Sequence, residues 1–375
     1  MNRRPRVLLL IPHRGGGGAE QVMALVARGL SNEKYELHLG VMTQAHEGAE
    51  ELPGWVTVHA LDAPRVRAAA FRLLGLVRGL KPDLILSGMF HLNFLVLLLG
   101  PLFPRGTRVL VRQNGTVSAG LAAASLPWTT GLLYRLLYRH ADGVICQTPA
   151  MAADIARQFG LPEGRLAVLP NPVDVDKIRD SIGKNPVPWT GPGPHLLAVG
   201  RLSREKGFDL LLRALALVRT RFPSAELLIA GVGAEESALK KQCRELGLDC
   251  AVRFAGHVPC PWSCFADATL FVLPSRQEGL PNALLEAAAA GLPMVALPAS
   301  EGVVELLRGR PGVWLASAVS AEALAGSLLA AIEALRPGER FAHSFVDEFR
   351  IDRALQAYES LIDATLQKAI PEKQR

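Results

Sequence analysis

Two carboxylates, Glu278 and Glu286, stand eight positions apart in the segment P-S-R-Q-E-G-L-P-N-A-L-L-E-A-A-A-A-G-L-P, which runs from Pro274 to Pro293. The first lies in a turn rich in Gly and Pro, and the second in an Ala/Leu run that reads as a helix. The apolar stretch 269–273 before the turn reads as a buried strand. A helix N-terminus offers N–H groups and a partial positive charge to an anion. The turn and the helix can therefore serve one ligand that carries both phosphate and hydroxyl groups: the phosphate takes the N–H groups and the carboxylates take the hydroxyls. Upstream, the run Val199-Gly-Arg-Leu-Ser-Arg-Glu-Lys-Gly207 follows another apolar stretch and precedes a helical pattern from Phe208. Arg201 and Lys206 thus leave the carboxyl end of a strand on one loop. A guanidinium fork and a point-charge ammonium suit a diphosphate.

These residues must be held by a repeating scaffold. Apolar runs at residues 6–11, 35–42, 55–61, 83–87, 108–112, 143–147 and 166–169 predict strands. Helical spacing between them is evident at 19–30, 67–80, from His91, and at 149–159. The alternation resumes at His195, with strands predicted at 195–199, 226–230, 252–255, 270–273 and 294–297 and helices between and after them. Strands alternating with helices mean βαβ units and parallel sheets. Residues 181–194, S-I-G-K-N-P-V-P-W-T-G-P-G-P, hold four Pro and three Gly and predict a linker. The expected organisation is a domain over residues 1–180, a linker over 181–194, a second domain over 195–350, and a last helix in 351–375 that packs back on the first domain. The fold class is α/β, with two doubly wound halves facing across a cleft at the carboxyl ends of their strands.

At 375 residues and 49% hydrophobic content the chain is too long for one ordinary core and too apolar to be disordered. Its five scattered cysteines argue against a disulfide framework. No apolar run reaches the roughly 18 residues needed to span a bilayer, and the expectation is a cytoplasmic protein. Residues 1–180 hold 20 Lys and Arg against 14 Asp and Glu, whereas residues 181–375 hold 21 against 21. The basic excess is therefore confined to the first half. It is too modest, and too bare of binding motifs, for a nucleic-acid partner. Trp128, Tyr134 and Tyr138 beside Arg135 and Arg139 predict instead a contact with an anionic membrane surface at its inner, cytoplasmic face. Neither an Asp-x-Asp pair nor a His/carboxylate cluster is present, so no metal is expected. The glycine run from Gly15 to Gly18 is not a dinucleotide fingerprint, because the third required glycine falls on Glu20 or Gln21.

The stretches V-G-R-L-S-R-E-K-G-F-D-L-L-L and F-V-L-P-S-R-Q-E-G-L-P-N-A-L-L-E-A resemble the family 4 retaining glycosyltransferases of GT-B fold. So do Val168–Asp174 and the loop G-G-G-G-A-E at 15–20. The resemblance covers about residues 6–310. It implies two Rossmann-like domains, the first binding acceptor and the second binding nucleotide-sugar. It implies that Arg201 and Lys206 hold the donor diphosphate and that Glu286 holds the ribose hydroxyls. Glu278 with Gly279, Leu280, Pro281 and Asn282 would hold the donor sugar and its phosphate. Gly16, Gly17, Gly18, Glu20 and Asn171 would contact substrate. His91 resembles the family's first-half histidine near the reacting sugar; a neutral imidazole at a helix N-terminus can accept a hydrogen bond from a sugar hydroxyl. His13 is placed similarly.

The implied reaction moves a hexose or N-acetylhexosamine, with retention and without a metal, from a nucleotide-sugar of the UDP type. The acceptor would be a sugar or lipid-linked molecule of envelope glycan biosynthesis. Charge growing on the leaving diphosphate would be met by Arg201, Lys206 and the helix N-terminus at Asn282, and the departing phosphate would take the acceptor's proton. Ala299–Glu305 departs from the family, since only Gly302 stands where a Gly-Gly turn is expected. The alternatives are a GT-B nucleotide-sugar epimerase and a non-catalytic sugar-nucleotide-binding partner protein.

Overall fold

A computed structural model describes residues 3–13, 17–43, 51–63, 66–122, 126–184 and 189–368. The chain divides into two compact units: Met1–Pro172 with Ile351–Arg375, and Val173–Arg350.

The first unit holds strands β1 (Arg6–Ile11), β2 (Glu36–Val41), β3 (Val56–Ala60), β4 (Leu84–Ser87), β5 (Arg108–Arg112), β6 (Gly143–Cys146) and β7 (Leu166–Val168). All are parallel, in the order β3-β2-β1-β4-β5-β6-β7. Its connecting helices are α1 (Gly18–Gly29), α2 (Val66–Leu80), α3 (Phe90–Leu99), α4 (Val117–Ala122), α5 (Pro127–Leu137) and α6 (Pro149–Phe159). The second unit holds β8 (His195–Val199), β9 (Glu226–Ala230), β10 (Val252–Gly256), β11 (Leu270–Leu273), β12 (Met294–Ala296) and β13 (Val313–Leu315), parallel in the order β10-β9-β8-β11-β12-β13. Its helices are α7 (Val175–Ser181), α8 (Phe208–Arg219), α9 (Glu236–Glu245), α10 (Asn282–Ala289), α11 (Glu301–Leu307) and α12 (Ala321–Ala334). The last helix, α13 (Ile351–Gln367), belongs to the first unit.

Each sheet is covered on both faces, which is why its strands read as nearly unbroken apolar runs. In the first unit, α2, α3, α5 and α6 bury residues such as Leu73, Val96, Tyr134 and Ile155 on one face. On the other face, Val22 and Val26 of α1 pack with Tyr358 and Ile362 of α13. In the second unit, α8, α9 and α12 cover one face through Leu215, Leu239 and Leu328. The opposite face is closed by α7, α10 and α11 through Ile178, Leu284 and Val303.

The chain crosses between units at Pro172–Val173, not in the Pro/Gly run at 181–194. The expected 1–180 boundary is corrected accordingly, because α7 belongs to the second unit. Val173 donates its N–H to the Phe349 carbonyl at 2.7 Å and forms a parallel bridge with Arg350. The strands of chain entering and leaving the second unit are thus tied side by side. The Pro/Gly run instead leads into β8: Trp189 stacks on His195 at 4.4 Å, and Thr190 Oγ1 donates to Glu226 at 2.5 Å. Residues 185–188 of that run lie outside the described residues. Strand β13 was not expected; its three residues are too few to show a period.

Helix α13 is fixed by polar as well as apolar contacts. Glu359 accepts from Lys34 Nζ at 2.6 Å and from the Ser31 N–H at 2.9 Å, and Tyr35 donates to Asp363 at 2.6 Å. A Cβ at Gly29 would overlap the Leu355 side chain, so α1 and α13 meet at a glycine. Among the described residues, no helix is long and apolar enough to cross a membrane.

Candidate functional site

In the second unit the chain winds outward from β8 through β9 to β10, then returns to start again at β11 on the other side of β8. The loops after β8 and β11 therefore diverge above neighbouring strands, and such a reversal leaves a crevice at the carboxyl ends of the strands. Arg201 and Lys206 lie on the first loop, and Glu278 on the second.

The two loops are held together chiefly by backbone. After β8 a short 3₁₀ turn, Arg204–Lys206, ends at Gly207 with φ +65°. A Cβ on Gly207 would overlap the carbonyl oxygen of Pro274, so only glycine allows the β8 loop to lie against the β11 loop. The loop after β9 approaches just as closely. Cβ atoms at Gly231 and Gly233 would overlap the carbonyl oxygens of Gly200 and Leu202, and the Leu202 N–H donates to Val232 at 2.9 Å. Arg276 adds a side-chain clasp. Its N–H donates to the Glu205 carbonyl at 2.8 Å, and its guanidinium donates to the Arg204 carbonyl at 2.9 Å. The same guanidinium forks onto Asp209 at 2.6 and 2.7 Å. Burial works to raise the Asp209 pKa, but Arg276 and Arg213 outweigh it and hold the carboxylate below its ordinary value.

This clasp brings Lys206 Nζ to 2.6 Å from Glu278 Oε1, which also accepts from Ser275 Oγ at 2.7 Å. The Glu278 side chain is 9% exposed. Its second oxygen has no protein partner among the described residues. Arg201 is exposed. It shares with Lys206 the neighbourhood of Glu205. Burial tends to raise that carboxyl's pKa, but hydrogen bonds from Ser203 and its own backbone, together with the two cations, pull it below normal. Arg201, Lys206 and Glu278 thus gather on adjacent loop tips.

Past Glu278 the chain dives inward. Gly279, Leu280 and Pro281 are buried, and the Leu280 side chain belongs to the apolar core, so of the sequence-assigned turn Leu280 can offer a ligand only backbone. Helix α10 starts at Asn282 without a side-chain cap. Glu286 is its fifth residue. It is only partly accessible to solvent and pairs with no cation among the described residues. Burial pushes its carboxyl up to about 7. An acid so poised can accept two hydroxyl donors once ionised, at a cost in desolvation that the ligand must offset.

In the first unit the reversal falls between β1 and β4. His13 and Gly17 follow β1, and His91 follows β4, so all three stand at the carboxyl end of that sheet. Arg14, Gly15 and Gly16 lie outside the described residues. Gly17 precedes α1, and Gly18 is its first residue. Glu20, assigned to substrate by resemblance, is 6% exposed and faces His13, with Oε1 to Nε2 at 3.5 Å. His91 is exposed in the first turn of α3, edge-on to Phe90 at 5.2 Å. Asn171 is buried and accepts from the fully buried Arg112, which also donates to Asn114. Asn171 therefore anchors the chain after β7 beneath the surface of the unit.

Sequence reasoning passed over Arg276, Asp209 and Arg112. Arg276 stood two residues before Glu278, but nothing in spacing linked it to Asp209, 67 residues earlier in the chain. It also placed Tyr134 and Tyr138 at a lipid headgroup layer. Both are buried, 1% and 0% exposed, and Tyr134 stacks on Phe159 at 4.9 Å. Of the three aromatics only Trp128 faces solvent. Among the described residues no group of three or more His, Cys, Asp or Glu could hold a metal ion.

Residues 16–177 match the model of Glycosyltransferase Family 4, and residues 193–334 match that of Glycosyl transferases group 1. The chain is 27% identical over 351 residues to a lipopolysaccharide core biosynthesis glycosyltransferase, LpsE, of Rhizobium meliloti, covering 88% of this chain and 95% of that one. It is 26% identical to N-acetylgalactosamine-N,N'-diacetylbacillosaminyl-diphospho-undecaprenol 4-alpha-N-acetylgalactosaminyltransferase of Campylobacter jejuni, covering 78% of this chain and 80% of that one. Against other curated relatives the match spans only 62%, 34% and 46% of the relative's length. In fold, the chain superposes on the crystal structure of Anabaena HepE in complex with UDP and glucose with a TM-score of 0.75, at 18% identity over 96% of this chain and 99% of that one.

Proposed function

The chain belongs to the family 4 glycosyltransferases, a transferase family of GT-B fold, and from that premise we propose that it transfers a hexose or N-acetylhexosamine from a UDP-sugar with retention. The acceptor in this reading is a sugar or lipid-linked molecule of envelope glycan assembly, met at the cytoplasmic face of a membrane. The acceptor class follows the relatives that act in lipopolysaccharide synthesis and on a diphospho-undecaprenol. The donor class is supported by a fold neighbour solved with UDP and glucose.

The observation that carries the reading is the junction of the β8 and β11 loops. Arg201 and Lys206 supply two cations beside a carboxylate that keeps one oxygen unengaged. In the proposed donor complex, Lys206 and Arg201 meet the diphosphate, and the N-terminus of α10 adds backbone N–H groups. Negative charge grows on the diphosphate as the glycosidic bond stretches, and positive groups already in place stabilise that change without reorganisation and without a metal. Glu278 Oε2 holds a donor-sugar hydroxyl, and Glu286 holds the ribose. The acceptor hydroxyl attacks from the face the diphosphate leaves, and its proton passes to the departing phosphate oxygen. His91 stands at the end of the first unit where a sugar hydroxyl could be steadied.

A thermal-shift panel of UDP-, GDP- and ADP-sugars tests the donor class. Selective stabilisation by UDP-sugars is expected, and stabilisation by another nucleotide alone would overturn that assignment. The anomeric proton coupling of the product, read by NMR, then tests retention.

A further inference from the structure

Helix α5 carries large apolar side chains on two opposite sides, with Arg135 at the edge of the outer one. At about 100° per residue, its sheet side carries Tyr134, continued by Tyr138 in the 3₁₀ turn that follows, and its opposite side carries Trp128, Leu132 and Leu136. A surface helix ordinarily keeps that outer face polar. Here Trp128 is 73% exposed, and Leu132 and Leu136 are each more than 40% exposed. Helix α3 lies in the same layer, packed against α5, and shows Leu98 63% exposed. Exposed apolar groups gathered on neighbouring helices mark a contact surface.

The charge around this surface is one-sided. Residues 84–141 carry five arginines and no Asp or Glu. Arg108 pairs with Asp142, and Arg112 is buried. The other three, Arg105, Arg135 and Arg139, are exposed and have no carboxylate partner among the described residues. Arg135 and Arg139 are turned along the helix edge, donating to the Gln158 carbonyl at 3.1 Å and the Arg135 carbonyl at 3.3 Å.

We infer that the outer face of α3 and α5 docks on an anionic phospholipid bilayer, with Trp128 and the leucines entering the headgroup boundary and Arg105, Arg135 and Arg139 meeting lipid phosphates. The inference rests on the membrane reading above and gives it a location. Trp and Leu backed by Arg is the composition of an interfacial helix. A second copy of the chain is a poorer occupant, because a two-fold contact would set the same unpaired arginines against each other.

The test is co-sedimentation of the full chain with vesicles of phosphatidylcholine and phosphatidylglycerol in equal parts, against phosphatidylcholine alone. Two triple variants are compared with the parent: Trp128→Ser/Leu132→Ser/Leu136→Ser and Arg105→Gln/Arg135→Gln/Arg139→Gln. All substituted groups are exposed, and unchanged circular-dichroism melting curves confirm folding. The parent should bind the anionic vesicles and release them in high salt. Each arginine near an anionic surface is worth about fivefold, so the arginine variant should lose on the order of a hundredfold, and the apolar variant at least tenfold. Parent binding with both variants unaffected overturns this face while leaving the membrane reading intact. Absence of parent binding at low salt overturns both, and donor binding in the thermal-shift panel is then the separate measure of the transferase reading. A parent dimer that the apolar variant converts to monomer, seen by light scattering, would assign the face to self-association and also overturn the proposal.

Discussion

Replacing Glu286 with Gln should make the ligand-free protein more stable above neutral pH and flatten the pH dependence of donor binding. In the fold the carboxyl titrates at about 7 against an ordinary value of 4.5, because burial penalises its charged form. A shift of that size corresponds to about 3 kcal/mol, taking 1.36 kcal/mol per unit. The sign follows from proton counts. Below pH 4.5 the group is neutral in both folded and unfolded chains and costs nothing. As pH rises from 4.5 to 7 the unfolded chain loses its proton first, and folded stability falls by up to that amount, then levels off. Gln never ionises, so the variant escapes the loss: its melting temperature should match the parent near pH 4.5 and exceed it near pH 8. Ligand binding runs the other way. Two ribose hydroxyls donating to the carboxylate favour the ionised form, and at pH 6 only about one molecule in ten is ionised. Donor affinity should then be roughly tenfold weaker at pH 6 than at pH 8, with close to one proton released per ligand bound at pH 6. Titration calorimetry of a UDP-sugar in two buffers of different ionisation enthalpy reads both quantities, and the diphosphate diester does not itself titrate in this window. Equal affinity at pH 6 and 8 with no proton release would refute the assignment of Glu286 to ligand hydroxyls.

Other perturbations probe the loop junction. Glu278→Gln keeps the shape of the turn but halves its capacity to fix a sugar hydroxyl and weakens the hold on Lys206. Transfer should fall by a factor on the order of a hundred or more, with nucleotide affinity by calorimetry nearly unchanged. Gly207→Ala forces a side chain into a positive-φ site against the Pro274 carbonyl. Strain and overpacking together should cost about 2–5 kcal/mol, measured by chemical denaturation, and an unchanged midpoint would show that the loops yield freely. Arg276→Lys retains the charge but loses the fork onto Asp209 and the bond to the Arg204 carbonyl. KM for donor should rise several-fold while kcat moves less, and a pure kcat defect would contradict a positioning role.

Much of the scaffold was legible because parallel strands buried on both faces announce themselves as apolar runs, and β1, β8 and β11 are of that kind. That Lys206 and Glu278 lie on loops just past strand ends of one sheet was legible too, since doubly wound sheets gather such loops; their direct ion pair at 2.6 Å was not expected. What sequence could not show depended on long-range return of the chain. The unit boundary falls at Pro172 because Val173 pairs with Arg350, and composition pointed instead to the Pro/Gly run that merely leads into β8. The Arg276–Asp209 fork joins residues that each look like ordinary surface charges. The segment from Trp128 to Tyr138 defeated periodicity for a simpler reason: with large apolar groups on opposite sides, nothing distinguished Tyr134 and Tyr138, which face the sheet, from Trp128, which does not.

Helix α13 has a consequence for the order of assembly. The face of the first sheet that carries α1 is completed by Tyr358 and Ile362, which leave the ribosome only after every residue of the second unit has been made. The first-synthesised unit must wait, half covered, while the later one can already close around its own core. A released chain truncated before Ile351 should therefore present a protease-resistant second unit attached to a susceptible first one, reversing the usual vectorial sequence in which the N-terminal part matures first.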